Sequence, residues 1–120
     1  MLPDARDAAY LWDMLDAART VSRFVAGVRA DQYMDDKKLQ MAVERAVEII
    51  GEAARRVTDA FKEAHPEIPW KRIIGQRHVL AHEYGEVKQE RMWAVATINI
   101  PELIGNLEKL VPPAPPEAKS

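Results

Sequence analysis

The chain of 120 residues has no cysteine, which removes disulfides, thiolate metal sites and cysteine nucleophiles together. No apolar run approaches the roughly 20 residues that a bilayer-spanning helix needs. Neither sign of charge dominates: 17 lysines and arginines face 19 aspartates and glutamates, a net charge of −2. There is accordingly no global pull toward nucleic acid, and any RNA or DNA contact has to come from a local basic cluster. The opening MLPDARDAAYLW lacks the basic start and apolar core of a signal peptide, and lipidation motifs are missing. The expectation is a cytoplasmic protein with no membrane contact. Internal repeats and convincing strands are also missing. What is present, 48% hydrophobic and 30% charged residues in 13.6 kDa, is the composition of one folded domain.

Apolar spacing predicts four helices. From Asp4 to about Ala30, residues Ala8, Leu11, Trp12, Leu15, Ala18, Val21, Val25 and Val28 recur at intervals of three and four. Pro3 and Asp4 suit a helix start, where a missing N–H costs nothing and a carboxylate meets the positive dipole end. Residues 30–35 have no period and read as a connection. A second helix is expected from about Asp36 to Glu63, with Leu39, Ala42, Val43, Ala46, Ile49, Ile50, Ala53, Ala54, Val57 and Phe61 on its stripe, ended by Pro66 and Pro69. A third opens near Trp70 and runs to Gly85, and a fourth starts at Val87 or Lys88. Pro101 should kink the fourth before Leu103, Ile104 and Leu107 resume the pattern. The final VPPAPPEAKS carries half of the eight prolines and reads as a disordered tail over 111–120. The architecture expected for 1–110 is all-α, an antiparallel four-helix bundle. Apolar residues are numerous enough to leave one helix face over, which points to a homodimer.

Cations, imidazoles and a phenol gather in one stretch, RHVLAHEY, from Arg77 to Tyr84. Cleaving RNA without a metal needs a base for the 2′-OH, a cation for the charge on the transition state and an acid for the leaving oxygen. Histidine titrates near neutrality and serves either proton role, and arginine matches phosphate oxygens with a permanent charge. Arg77 and His82, five residues apart on a helix, are separated by about 140° and about 7.5 Å. Two copies placing such helices side by side would supply two of each to one cleft. An Arg-x4-His pair alone is common, and polar residues on an exposed helix face are the ordinary alternative. His78 and His82 have the i, i+4 spacing of metal ligands, but the metalloprotease pattern requires glutamate where Val79 stands. No spacing singles out a further ligand among Glu83, Glu86 and Glu52, so no metal and no other cofactor is expected. Glu52 is either a surface charge or a partner that holds Arg77 or His82. His65 reads as a capping or surface residue, and Trp12, Trp70 and Trp93 read as core or interface.

The stretches IIGEAARRV and HPEIPWKRIIGQRHVLAHEYG resemble the HepT-like branch of the HEPN superfamily, whose Arg-x4-His-x-Tyr signature is matched by Arg77, His82 and Tyr84. The resemblance covers the chain up to the proline tail. It implies a homodimeric HEPN bundle with both motifs lining a shared cleft, acting as a metal-independent endoribonuclease toxin. The implied partner is a minimal nucleotidyltransferase antitoxin that transfers AMP to the motif tyrosine, here Tyr84. On this reading Arg77 clamps phosphate, His82 is the general acid or base, and Tyr84 orients substrate. Two positions depart from the family's common pattern: His78 stands where asparagine is usual, and Gly85 where an aromatic is usual. A HEPN module that binds a nucleotidyltransferase without cleaving RNA is the alternative, and a helical bundle with no site is a third.

Overall fold

The computed structural model describes residues 3–82 and 88–112, with 77–82 given as backbone. Every regular element among them is helical. α1 (Ala5–Val25) is capped by the Asp4 carboxylate, which accepts from the Asp7 N–H at 2.8 Å. Of the expected stripe, Ala8, Leu11, Leu15, Ala18 and Val21 are buried, while Trp12, Val25 and Val28 are only partly buried against the core; Met14, outside that stripe, is buried as well. The helix stops five residues before the expected end, because Gly27 takes φ +74° and turns the chain. The segment read as a connection then forms a short helix, α2 (Ala30–Met34), and delivers Tyr33 into the core with no exposed surface.

α3 (Lys37–Arg56) begins on the Asp36 cap, whose carboxylate accepts from Leu39 N–H at 3.0 Å. The expected continuation to Glu63 breaks at Val57. Thr58 takes an extended conformation, and its hydroxyl oxygen accepts from the Phe61 N–H at 3.3 Å to start α4 (Asp59–Ala64). The break is stabilised from far along the chain. Buried Asp7 accepts from the Thr58 N–H at 2.9 Å and the Thr58 hydroxyl at 2.7 Å. A buried carboxylate and a threonine that can bond outside the helix together outweigh one more turn of propensity.

α5 covers Trp70–His82; its expected end at Gly85 lies outside the described residues, as does the tail from residue 113. The fourth helical run is continuous from 89 to 108: α6 (Gln89–Ala94), a π-turn (Val95–Asn99) and α7 (Ile100–Glu108). In the π-turn the Ile100 N–H reaches back to the Val95 carbonyl. This wider turn immediately precedes Pro101, where a ring without an N–H cannot continue ordinary α-helical bonding. The irregularity expected at Pro101 is therefore an inserted residue upstream of it. α3 packs against α1 and α5, and α1 also packs against α7. No helix of the described residues is long and apolar enough to cross a membrane.

Candidate active site

α5 carries Arg77, His78 and His82, and its first turn is firmly held. The Trp70 N–H donates to the Ile68 carbonyl at 2.9 Å, and the indole Nε1–H donates to the His65 carbonyl at 3.0 Å. The Trp70 ring meets Phe61 edge-on at 6.4 Å, and Ile68, Trp70 and Ile73 are buried. This anchoring sets the rotation of the whole helix. At 100° per residue, position 77 lies within about 40° of buried Trp70 and Ile73. Position 78 lies about 20° from Lys71, and position 82 about 20° from both Lys71 and Gly75, which are exposed. A Cβ added at Gly75 would meet nothing within 4 Å. The backbone of α5 thus carries positions 77 and 82 about 140° apart around one helix. Tyr84, with Gly85, Glu83 and Glu86, lies outside the described residues.

Glu52 sits on α3. Its Oε1 accepts from Arg56 Nε at 3.0 Å and lies 3.4 Å from the Arg55 guanidinium, and these bonds join it to arginines of its own helix. The hydrogen bond to Glu52, followed by one to Tyr10, raises the Arg56 pKa above its ordinary value. Glu52 also lines an open groove of about 520 Å³ between α1 and α3, shared with Tyr10, Asp13, Arg45, Glu48 and Arg56. His65 follows α4, with Nδ1 3.1 Å from Glu67 and its ring 4.4 Å from that of Phe61. Trp12 is half-buried beneath the Arg19 guanidinium, 5.8 Å from its carbon. Trp93 packs on Tyr33 at 5.0 Å.

One polar cluster was not legible beforehand. The Tyr33 hydroxyl donates to Gln89 Oε1 at 2.8 Å, and Gln89 Nε2 donates to Glu44 Oε2 at 2.7 Å. Burial, and then the negative charge of Glu44, pushes the Tyr33 phenol up to about 12. Gln89 opens α6. The three residues come from α2, α3 and α6, so only a period in 30–35 could have hinted at Tyr33, and that segment has none.

Comparison with known proteins gives a consistent picture. A family model described as Ribonuclease HepT-like matches residues 14–110. A Thermococcus cleftensis protein named "Probable ribonuclease HepT" is 40% identical over 101 residues, covering 84% of this chain and 92% of the relative. "Putative RNase MJ1380" of Methanocaldococcus jannaschii is 33% identical over 100 residues, covering 83% and 92% respectively. "Putative RNase TTE0752" of Caldanaerobacter subterraneus is 33% identical over 102 residues, covering 85% and 91%. No solved structure gives a significant match. The family inferred from Arg77, His82, Tyr84 and their flanking segments is the one these comparisons return, an enzyme family of the HEPN superfamily: this chain belongs to the ribonuclease HepT-like family.

Proposed function

We propose that this protein is a metal-independent endoribonuclease and the toxin of a toxin–antitoxin pair, working as a homodimeric HEPN-type four-helix bundle in the cytoplasm. The observation that carries the reading is α5 itself: one continuous helix, anchored at Trp70, that bears both Arg77 and His82 in a chain of the ribonuclease family. Their registers differ by about 140°, so one helix does not converge them on a single phosphate. Two copies facing each other bring the arginine and histidine of both α5 helices to one cleft.

The chemistry then follows from the residue types. A histidine takes the 2′-OH proton, and the oxygen attacks the adjacent phosphorus. Arginine stabilises the charge that gathers on the phosphoryl oxygens, and the 5′-oxygen leaves with a proton from the second histidine. Phosphorus gains one P–O bond and loses one, leaving a cyclic phosphate and a free 5′-hydroxyl. Tyr84 orients the substrate and is also the site of control. A minimal nucleotidyltransferase antitoxin lets the Tyr84 oxygen attack the α-phosphorus of ATP, with pyrophosphate leaving. The attached AMP brings bulk and negative charge to a cationic cleft and repels an RNA phosphate. His78 and Glu52 are auxiliary candidates, one on the His82 register and the other on α3.

Growth after induced expression tests this proposal. Arrest by the parent, abolished by His82→Ala and relieved by a co-expressed minimal nucleotidyltransferase that adds AMP mass to the Tyr84 peptide, is the expected result. A folded parent that leaves growth unaffected would overturn the toxin assignment.

A further inference from the structure

Among the described residues five large apolar side chains are exposed: Phe24, Met34, Met41, Ile49 and Ile98. Three of them belong to α1 and α3. Ile49, which spacing assigns to the apolar stripe of its helix, is 38% exposed and lines the open groove of about 520 Å³ between α1 and α3. The two helices run antiparallel: Asp7 bonds to Thr58, Tyr10 bonds to Arg56, and Ala17 shares the groove with Ile49. The α1 number rises about as the α3 number falls. Phe24 is therefore level with Met41 at the far end of the groove, and both are exposed. By helical spacing Phe24 continues the lining row of Tyr10, Ala17 and Thr20, and Met41 continues that of Arg45, Ile49, Glu52 and Arg56.

The row on α3 is its own complement when reversed. With a two-fold axis crossing α3 between Glu48 and Ile49, position 45 of one copy meets position 52 of the other, and position 41 meets position 56. Arg45 then faces Glu52 of a second copy in both directions, as an isologous contact requires. The two Ile49 side chains come together at the axis, while Met41 and Phe24 meet the stem of Arg56 and the ring of Tyr10. Glu48, beside the axis, is held by Arg45 of its own helix at 2.6 Å. An axis parallel to the helices fits worse, because it sets Asp13 of one copy over Glu52 of the other, like charge against like. The groove is lined by four acids and two arginines, which makes it a poor surface for a nucleic-acid backbone.

Building on the homodimer of the reading above, we propose that its two copies meet through the α1–α3 face, with the α3 helices antiparallel and Ile49 at the two-fold axis. A second copy covers the exposed apolar groups of the groove and matches its charges in one register. At about 1.5 Å per residue, the two copies of position 49 lie nearly opposite each other, whereas those of position 41 are about 23 Å apart.

The chain has no cysteine, so a single introduced thiol reports on this geometry. Full-length Ile49→Cys, Met41→Cys and Arg56→Cys proteins, folded by circular dichroism, are treated with a bismaleimide too short to span about 23 Å. Expected is a covalent dimer from Ile49→Cys, and from Met41→Cys mixed with Arg56→Cys after subunit exchange, but none from Met41→Cys alone. Charge gives a second readout by analytical ultracentrifugation. Arg45→Glu and Glu52→Arg should each raise the dimer Kd by about tenfold or more, by setting like charges against each other. An equimolar mixture of the two should recover to within about threefold of the parent, because the mixed dimer restores opposite charges at both contacts. A dimeric parent whose Ile49→Cys variant stays uncross-linked, or whose Arg45→Glu variant dimerises as tightly as the parent, overturns this face and leaves the homodimer standing. A parent that sediments as a monomer removes the homodimer itself, and this proposal with it.

Discussion

Removing the Asp7 carboxylate should unfold this protein more readily than any change to its surface ion pairs. Asp7 is 3% exposed and accepts two hydrogen bonds, from the Thr58 N–H at 2.9 Å and the Thr58 hydroxyl at 2.7 Å. Hydrogen bonds to a charged acceptor contribute about 1.5–3 kcal/mol each. Asp7→Ala loses both and leaves the Thr58 N–H without its acceptor; relief from burying a charge offsets part of this, for a net loss of about 3 kcal/mol. At this chain length that corresponds to a fall in Tm of about 12 °C. Asp7→Asn keeps one acceptor for the Thr58 N–H and should cost about 1 kcal/mol. Thermal and urea unfolding followed by circular dichroism measure both, with Thr58→Ala and the double variant closing a cycle. The double variant should cost at least about 1 kcal/mol less than the sum of the singles, because the two residues act on each other. An Asp7→Ala protein within about 0.5 kcal/mol of the parent, the range of ordinary surface changes, would refute the view that this carboxylate holds α1 to the α3–α4 break.

Two further predictions concern single groups. The Tyr33 phenol, raised to about 12 from an ordinary value near 10, favours the folded state while it stays protonated. Its contribution is complete below about pH 10 and is lost as pH rises toward about 12, so alkaline melts of the parent should fall more steeply across that window than those of Tyr33→Phe. Parallel curves would contradict this. Gly27 has φ +74° and open space where a Cβ would stand, so Gly27→Ala should cost only the backbone penalty of about 1–2 kcal/mol, measured by urea unfolding. A neutral substitution would show that the turn relaxes.

The long helices were legible because each has a one-sided stripe: Leu11, Leu15 and Val21 in α1, and Val43, Ile50 and Ala54 in α3, are all buried. The start of α5 was equally plain, since Pro66 and Pro69 stop one helix and Trp70 opens another. What failed were the places where a distant group decides. Nothing near Val57 announces a break; it depends on Asp7, 51 residues away from Thr58. Tyr33 lay in an aperiodic segment, and its partner Gln89 is 56 residues further on. The inserted residue of the π-turn sits just upstream of the proline that was expected to disturb the helix. The motif itself was readable as a spacing, and the rotation of α5 adds what spacing alone leaves open. Trp70 and Ile73, both buried, set the phase of α5, and its backbone carries positions 77 and 82 about 140° apart.

RNA cleavage by the purified protein tests the central claim most directly. Parent, Arg77→Ala and His82→Ala proteins of matched circular dichroism would be incubated with a labelled single-stranded RNA, and the products resolved and their ends identified. The account predicts cleavage by the parent leaving cyclic phosphate and 5′-hydroxyl ends, reduced at least about 100-fold in His82→Ala, the lower range for loss of a general acid or base. Cleavage that persists undiminished in both variants, or a folded parent that leaves the RNA intact, would contradict it.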